Sequence, residues 1–119
     1  MKTKVNPLKL NGTRFNTQAH KEQGRYVKHY YFSNGLGASV ALHDGTYGGQ
    51  HGYFELAILK YEHGTDPYTT NEIIYDTAIN HDLGCIDVNS WLDFSEVADM
   101  LQRIRNYNTG EYFYNERTN

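Results

Sequence analysis

The stretch YFELAILKY, residues 53–61, decides the fold, because it is the most apolar segment of the chain. Its apolar residues fall on both faces of an extended segment, with Phe54, Leu56 and Ile58 on one face and Ala57 and Leu59 on the other. Successive side chains of a strand point to opposite sides of a sheet, so this pattern indicates an interior position. We therefore predict that residues 53–61 form the central strand of a sheet.

The segment before this stretch has the pattern of a β-hairpin. Residues 25–33 (RYVKHYYFS) contain four Tyr and Phe side chains and a valine, which favours a strand. The following Asn34-Gly35-Leu36-Gly37 contains residues that accept a positive φ, as a tight reversal requires. Residues 38–43 (ASVALH) then alternate, with Ala38, Val40 and Leu42 on one face. The pattern predicts an antiparallel pair with one face toward the core.

The segments after the central strand have weaker patterns. Residues 72–79 (EIIYDTAI) are predicted as a further strand and residues 85–88 as a short one. Residues 62–71 (EHGTDPYTTN) are predicted as a loop around Asp66-Pro67. Residues 44–52, with four glycines in nine positions, are predicted as a second loop, here called the Gly-rich loop.

Residues 93–107 have the pattern of an amphipathic helix. Asp93 is followed three residues later by Glu96, which resembles a capping box with an acid as the cap. Arg103 and Arg105 fall near the other end, where they complement the helix dipole. The apolar residues form one stripe of a 3.6-residue repeat, and they are Phe94, Val97, Ala98, Leu101 and Ile104.

Together these segments predict an α+β fold. It has a single antiparallel sheet of four to five strands within residues 25–88 and one C-terminal amphipathic helix packed on one face. Residues 1–24 are predicted as a basic irregular arm, residues 25–107 as the α+β domain and residues 108–119 as an aromatic polar tail. Three adjacent aromatics of the tail, Tyr112, Phe113 and Tyr114, are expected to dock on the domain or on a partner.

Length and composition exclude several protein classes. At 119 residues the chain has the length of one domain and needs neither a metal nor a disulfide to form a core. A single cysteine, Cys85, cannot form an internal disulfide, which points to a reducing compartment. The sequence has no apolar run as long as a signal peptide or membrane span requires. We therefore predict a cytoplasmic protein with no membrane association.

Charge is distributed unevenly along the chain. Residues 1–28 carry seven lysines and arginines against one glutamate, a net charge of +6. Residues 29–119 carry four basic and thirteen acidic residues, a net charge of −9. A basic arm beside an acidic body indicates either that the arm lies against its own body or that it binds a partner, with Lys4, Lys9 and Arg14 as candidate contacts.

Tyrosine supplies the second binding signal, with eleven residues in the chain. A single helix covers only part of one sheet face, so some tyrosines in or near the sheet are expected at the surface, where protein interfaces favour them. The alternative is ordinary packing within the sheet. The candidate contacts are Tyr30, Tyr47, Tyr53 and Tyr61.

The sequence contains no constellation typical of catalysis. The Gly-rich segments lack the spacing of a dinucleotide fingerprint or a phosphate-binding loop. Six histidines occur, but none is paired at i+2 or i+4 as a two-ligand metal site on one strand or helix requires. Cys85, in a predicted strand, fits a buried structural thiol better than an activated one. We predict no enzyme activity, no cofactor, no metal and no catalytic residue.

Three motifs carry a resemblance: SNGLGASVALHDGTYGGQHGYFELAIL at 33–59, IIYDTAI at 73–79 and FSEVADMLQRI at 94–104. Over roughly residues 25–107 they resemble a group of small uncharacterised proteins encoded by tailed bacteriophages. The chain departs from that group in its longer 62–71 loop and in the histidines around its Gly-rich loop. The resemblance implies a phage origin, the same fold and a location in the host cytoplasm, and it transfers no functional residues.

Phage accessory proteins of this size commonly act by binding a host or phage protein. The resemblance therefore implies a non-enzymatic accessory protein that acts by protein–protein binding, including inhibition of a host defence protein. A homodimer is left open as a further arrangement. Two alternatives remain, namely a nucleic-acid-binding accessory protein that uses the basic arm and a small enzyme or small-molecule-binding protein at the Gly-rich loop.

Overall fold

The computed structural model describes residues 14–15, 26–42, 45–46, 49–85, 87–111 and 113. Within these residues the chain forms a single antiparallel sheet with a C-terminal helix packed on one face, which confirms the predicted α+β architecture. The elements run in the order β1 Arg14–Phe15, β2 Tyr26–Tyr31, β3 Leu36–Leu42, β4 Phe54–Lys60, α1 Pro67–Thr70, β5 Glu72–Ile73, α2 Ala78–Asp82, β6 Val88–Leu92 and α3 Phe94–Asn106. None of the helices in this described part is both long and apolar enough to cross a bilayer.

The sheet is built around β4, as the apolar stretch predicts. Its strands follow the order β1-β2-β3-β4. β5 and β6 both pair with the other edge of β4, one at each end. The two-residue strand β5 pairs with Leu59 and Lys60, whereas β6 pairs with residues 54–57 at the other end of β4. β1 lies within the segment predicted as an irregular arm. The sequence did not reveal this strand, because two residues are too few to show a periodic pattern.

The predicted hairpin is confirmed as β2 and β3, with Tyr31 opposite Gly37 and Tyr30 opposite Ala38. Gly35 has a φ of +85°, a backbone conformation that side chains other than glycine rarely adopt. The N–H of Phe32 donates to the carbonyl of Leu36 at 2.8 Å, which closes the reversal. Phe113 lies over this turn, so a Cβ at Gly35 would come within 2.6 Å of its ring.

The predicted helix is confirmed as α3, and its start has the predicted geometry. The Asp93 side chain accepts from the N–H of Glu96 at 2.7 Å, while the N–H of Asp93 donates to the Glu96 carboxylate at 3.0 Å. The apolar stripe of α3 packs on β3, β4 and β6, except for its first residue, Phe94, which is exposed. The most deeply buried residues of this main core are Tyr30, Phe32, Leu36, Ala38, Val40, Leu56, Ile58, Cys85, Val97, Leu101 and Ile104.

Three predictions for the region after β4 are wrong. Only Glu72–Ile73 of the strand predicted at 72–79 is extended, because Thr77 and Asn80 form a capping box that begins α2. The loop predicted at 62–71 contains α1, whose first N–H groups are capped by Asp66. The short strand predicted at 85–88 is instead β6, which begins at Val88. In the first case the hydrogen bonds of Thr77 and Asn80 outweigh the β-forming tendency of the neighbouring residues.

The face of the sheet opposite α3 carries a second, aromatic cluster. Tyr31, Leu59 and Tyr61 form its buried part, and Tyr68 of α1 and Phe113 of the C-terminal segment pack over them. The rings meet edge to face, with centroids 4.7 Å apart for Tyr31 and Tyr68 and 5.2 Å apart for Tyr61 and Phe113. The chain thus covers this part of the face with its own aromatic residues. Of the three tail aromatics expected to dock, Phe113 docks on the domain, and Tyr112 and Tyr114 lie outside the described residues.

Candidate functional site

The structure buries two of the four tyrosines predicted as contacts, so neither has the exposed side chain that was expected. Tyr30 lies fully inside the main core beneath α3. Tyr61 belongs to the aromatic cluster on the opposite face, and its hydroxyl donates to the carbonyl of Phe32. Both faces of the sheet are covered in this region, so the reason given for exposed tyrosines does not apply to either residue. Tyr53, directly before β4, is 39% exposed.

Of the other predicted contacts, most lie outside the residues that the structure describes. Lys4, Lys9 and Tyr47 lie outside the described residues, and Arg14 is described only as a backbone position in β1, opposite His29. Lys28, the last basic residue of the positive N-terminal segment, is buried in β2 with its Nζ 5.4 Å from the centroid of the Tyr30 ring. Burial lowers the pKa of this lysine. Because the side chain is buried, it does not extend a basic surface onto the sheet.

The most exposed aromatic cluster in the described part of the chain surrounds Trp91, which the sequence patterns did not single out. Trp91 is 53% exposed at the end of β6. The His51 ring stacks on the indole with centroids 5.5 Å apart and planes at 24°, and the Tyr53 ring lies 5.7 Å away at 46°. We refer to His51, Tyr53 and Trp91 as the Trp91 patch.

A β-bulge places Trp91 at the surface. Phe54 of β4 pairs with Leu92 and Leu56 pairs with Asn89, so two residues of β6, Ser90 and Trp91, oppose a single residue of β4. Trp91 sits at this bulge with a φ of +59°, which is a genuine outlier for so bulky a residue. Such strain persists only where surrounding contacts hold it, and it is concentrated at functional sites.

The chain on either side of Trp91 carries apolar and acidic residues. Phe94, the first residue of α3, is 45% exposed two positions beyond the end of β6. Residues 86–102 contain four acidic residues and no lysine or arginine. Trp91 thus precedes the acidic residues Asp93 and Glu96 by two and five positions in the chain. Exposed rings next to acidic residues suit an apolar partner surface that also carries positive charge.

Replacing Trp91 tests whether its backbone is strained. Both Trp91→Gly and Trp91→Ala remove the indole, but only glycine adopts a positive φ without steric cost. We expect the glycine variant to be more stable than the alanine variant by about 1 kcal/mol. Urea unfolding followed by tyrosine fluorescence measures the difference. An alanine variant as stable as the glycine variant, or more stable, would show that the position is unstrained in solution.

The described residues offer little for nucleophilic or metal chemistry. Burial raises the pKa of the Cys85 thiol and outweighs the opposing hydrogen bond from the Asn89 backbone, which makes the thiol unreactive. Among the described residues, no three His, Cys, Asp or Glu side chains form a group able to hold a metal ion. His81 pairs with Asp76 at 2.6 Å, and Tyr107 donates to Asp82 at 2.6 Å. These pairs brace α2 and enclose no cavity with a nucleophile.

Comparison of the chain with protein-family models, curated proteins and solved structures finds no match. The likeness to phage proteins therefore stays a prediction. One sequence signal could have pointed to the Trp91 patch. Trp91 is the single tryptophan of the chain, and it stands among polar residues where a strand meets a helix cap. A large aromatic residue in such a junction does not belong to a periodic apolar pattern, so the sequence gives no reason to place it in the core.

Proposed function

We propose that the protein acts by binding another protein through the Trp91 patch. The observation that carries this proposal is the exposed indole held at a strained bulge between two further rings. Tryptophan and tyrosine are the residues most enriched among interface hot spots, since they bury large apolar area with few rotatable bonds. A position that costs backbone strain and exposes an indole to water is better explained by a bound partner than by the stability of the free chain.

The charges near the patch favour a protein partner over a nucleic acid. Asp93 and Glu96 lie at the start of α3, two and five positions after Trp91, and they would repel a phosphate backbone. A protein surface with an apolar pocket and nearby Lys or Arg side chains matches both features of the patch. The nucleic-acid alternative depends on the basic arm, most of which lies outside the described residues.

We further propose that the partner is a host protein and that binding inhibits it, with host defence proteins as the leading class. This part of the proposal rests on the resemblance to phage proteins, because phage accessory proteins of this size commonly act by binding a host or phage protein.

Affinity capture with matched variants tests the proposal. Wild-type protein, Trp91→Ala and Tyr75→Ala are used in parallel as bait in lysate of infected host cells. Tyr75 is a suitable control, because it is 55% exposed and lies outside the patch. We expect one host protein to be captured by wild type and by Tyr75→Ala and to be lost with Trp91→Ala.

The affinity for the captured protein is then measured by biolayer interferometry. A hot-spot role predicts that Trp91→Ala weakens binding by at least about 30-fold. The Tyr75→Ala variant should bind within about threefold of wild type, as residues outside a hot spot usually do. A captured partner that binds all three proteins equally well would refute the patch as the binding surface.

A further inference from the structure

A concave site lies at the far end of β4 from the Trp91 patch. It is a surface pocket of about 360 Å³ between the end of β4, the segment around α1 and β5, and the C-terminal segment. This volume is at the lower end of the range for small-molecule sites, so the pocket suits a compact ligand. Its lining residues are Lys60, Tyr61, Glu62, His63, Thr70, Glu72, Glu111 and Phe113.

One wall of the pocket is aromatic and is fixed by the fold. The Phe113 ring meets the Tyr61 ring at 5.2 Å and the His63 ring at 4.8 Å, both nearly edge to face. Phe113 is held in place because its N–H donates to the carbonyl of Ser33 at 2.5 Å. The Thr109 hydroxyl donates to the carbonyl of Asn34 at 2.8 Å and anchors the same segment. The wall therefore exists without a ligand.

The rim of the pocket carries more negative than positive charge. Glu62, Glu72 and Glu111 contribute three carboxylates, and Lys60 contributes one ammonium group. Lys60 lies opposite Glu72 in the β4–β5 pair. Within the described part of the chain, neither Lys60 nor any of these glutamates forms a salt bridge. The carboxylates are thus available to a ligand that enters against the aromatic wall.

We propose that this pocket binds a small organic cation, an amine or guanidinium on a short hydrocarbon body. Aromatic rings and carboxylates that line one pocket attract such a group, because both interact favourably with a positive head while the hydrocarbon body covers the apolar wall. An anionic ligand would meet three like charges, and a neutral one would gain no attraction from them. This binding is separate from protein recognition at the Trp91 patch.

Isothermal titration calorimetry at fixed ionic strength tests the proposal with putrescine and agmatine as probes. We expect saturable 1:1 binding of at least one probe and none of 1,4-butanediol, which has the length of putrescine without its charges. Glu72→Gln and Glu111→Gln should each weaken binding by about fivefold or more. Phe113→Leu keeps an apolar side chain but removes the ring, so it should weaken binding as well.

Asp87→Asn is the matched control, since it removes the same charge from an exposed position outside the pocket. It should leave the affinity unchanged, and melting temperatures verify that each variant keeps its fold. Two results would overturn the proposal. One is no saturable binding of either probe. The other is an equal loss of affinity in Glu72→Gln and Asp87→Asn, which would mean that the net charge of the protein attracts the probes without a site.

Discussion

Leu101→Asp is expected to leave the domain unfolded at 25 °C. Leu101 is fully buried at the centre of the helix stripe, in the core between α3 and the sheet. The substitution removes a buried aliphatic side chain, which costs about 2–5 kcal/mol, and places an unpaired carboxylate in apolar surroundings, which costs several more. The sum is comparable to the whole stability of a domain of this size, about 5–15 kcal/mol.

Circular dichroism and urea unfolding measure this outcome. Ser95→Asp is the matched control, because it adds the same charge to the exposed first turn of α3, where a negative charge complements the helix dipole. The control should melt within a few degrees of wild type. A Leu101→Asp protein with a wild-type melting transition would contradict the packing of α3 on the sheet.

Asn34→Asp is expected to lower the free energy of unfolding by about 3–5 kcal/mol, although it only replaces an amide group by a carboxylate in a turn. The Asn34 side chain is buried, and its Nδ2 donates to the carbonyls of Ile104 at 2.8 Å and Tyr107 at 2.9 Å. Its Oδ1 accepts from the N–H of Leu36 at 3.1 Å. One amide thus closes the hairpin and caps the end of α3. A carboxylate at this position cannot donate and would face the carbonyl oxygens with a negative charge.

The pH dependence identifies the cause. The carbonyls raise the pKa of the introduced carboxyl group above its unfolded value, so the lost stability should return as the pH falls through that raised pKa. Asn34→Ala should cost less, about 1–3 kcal/mol, because it leaves the carbonyls unpaired without adding a charge. Asn106→Asp, at an exposed position of α3, serves as the control for the same chemical change. Equal stabilities of Asn34→Asp and Asn106→Asp would show that the turn does not cap the helix in solution.

The elements that the sequence predicts well are those whose signals are local. The hairpin of β2 and β3 follows from alternation around a turn with Asn and Gly, and α3 follows from a stripe that begins at a capping box. The wrong predictions also have local causes. Thr77 and Asn80 form a second capping box, which begins α2 inside a segment that reads as a strand by its Ile and Tyr residues.

The candidate site was largely beyond prediction, because exposure is not a property of a residue type. Tyr30, Tyr53 and Tyr61 read alike in the sequence as tyrosines in or beside strands, yet only Tyr53 is exposed. Their exposure differs because different segments of the chain pack over each tyrosine ring. For Tyr61 that cover is Phe113, which lies more than fifty positions away in the sequence.

The sequence by itself determined the α+β class, the central position of β4, the hairpin and α3, because periodicity and turn chemistry act between residues a few positions apart. Tertiary structure alone decided that a turn asparagine caps a helix 70 residues away, that a bulge in β6 turns Trp91 outward, and that the tail forms the wall of a pocket. Each of these depends on contacts between distant segments, and no local pattern records which segments meet.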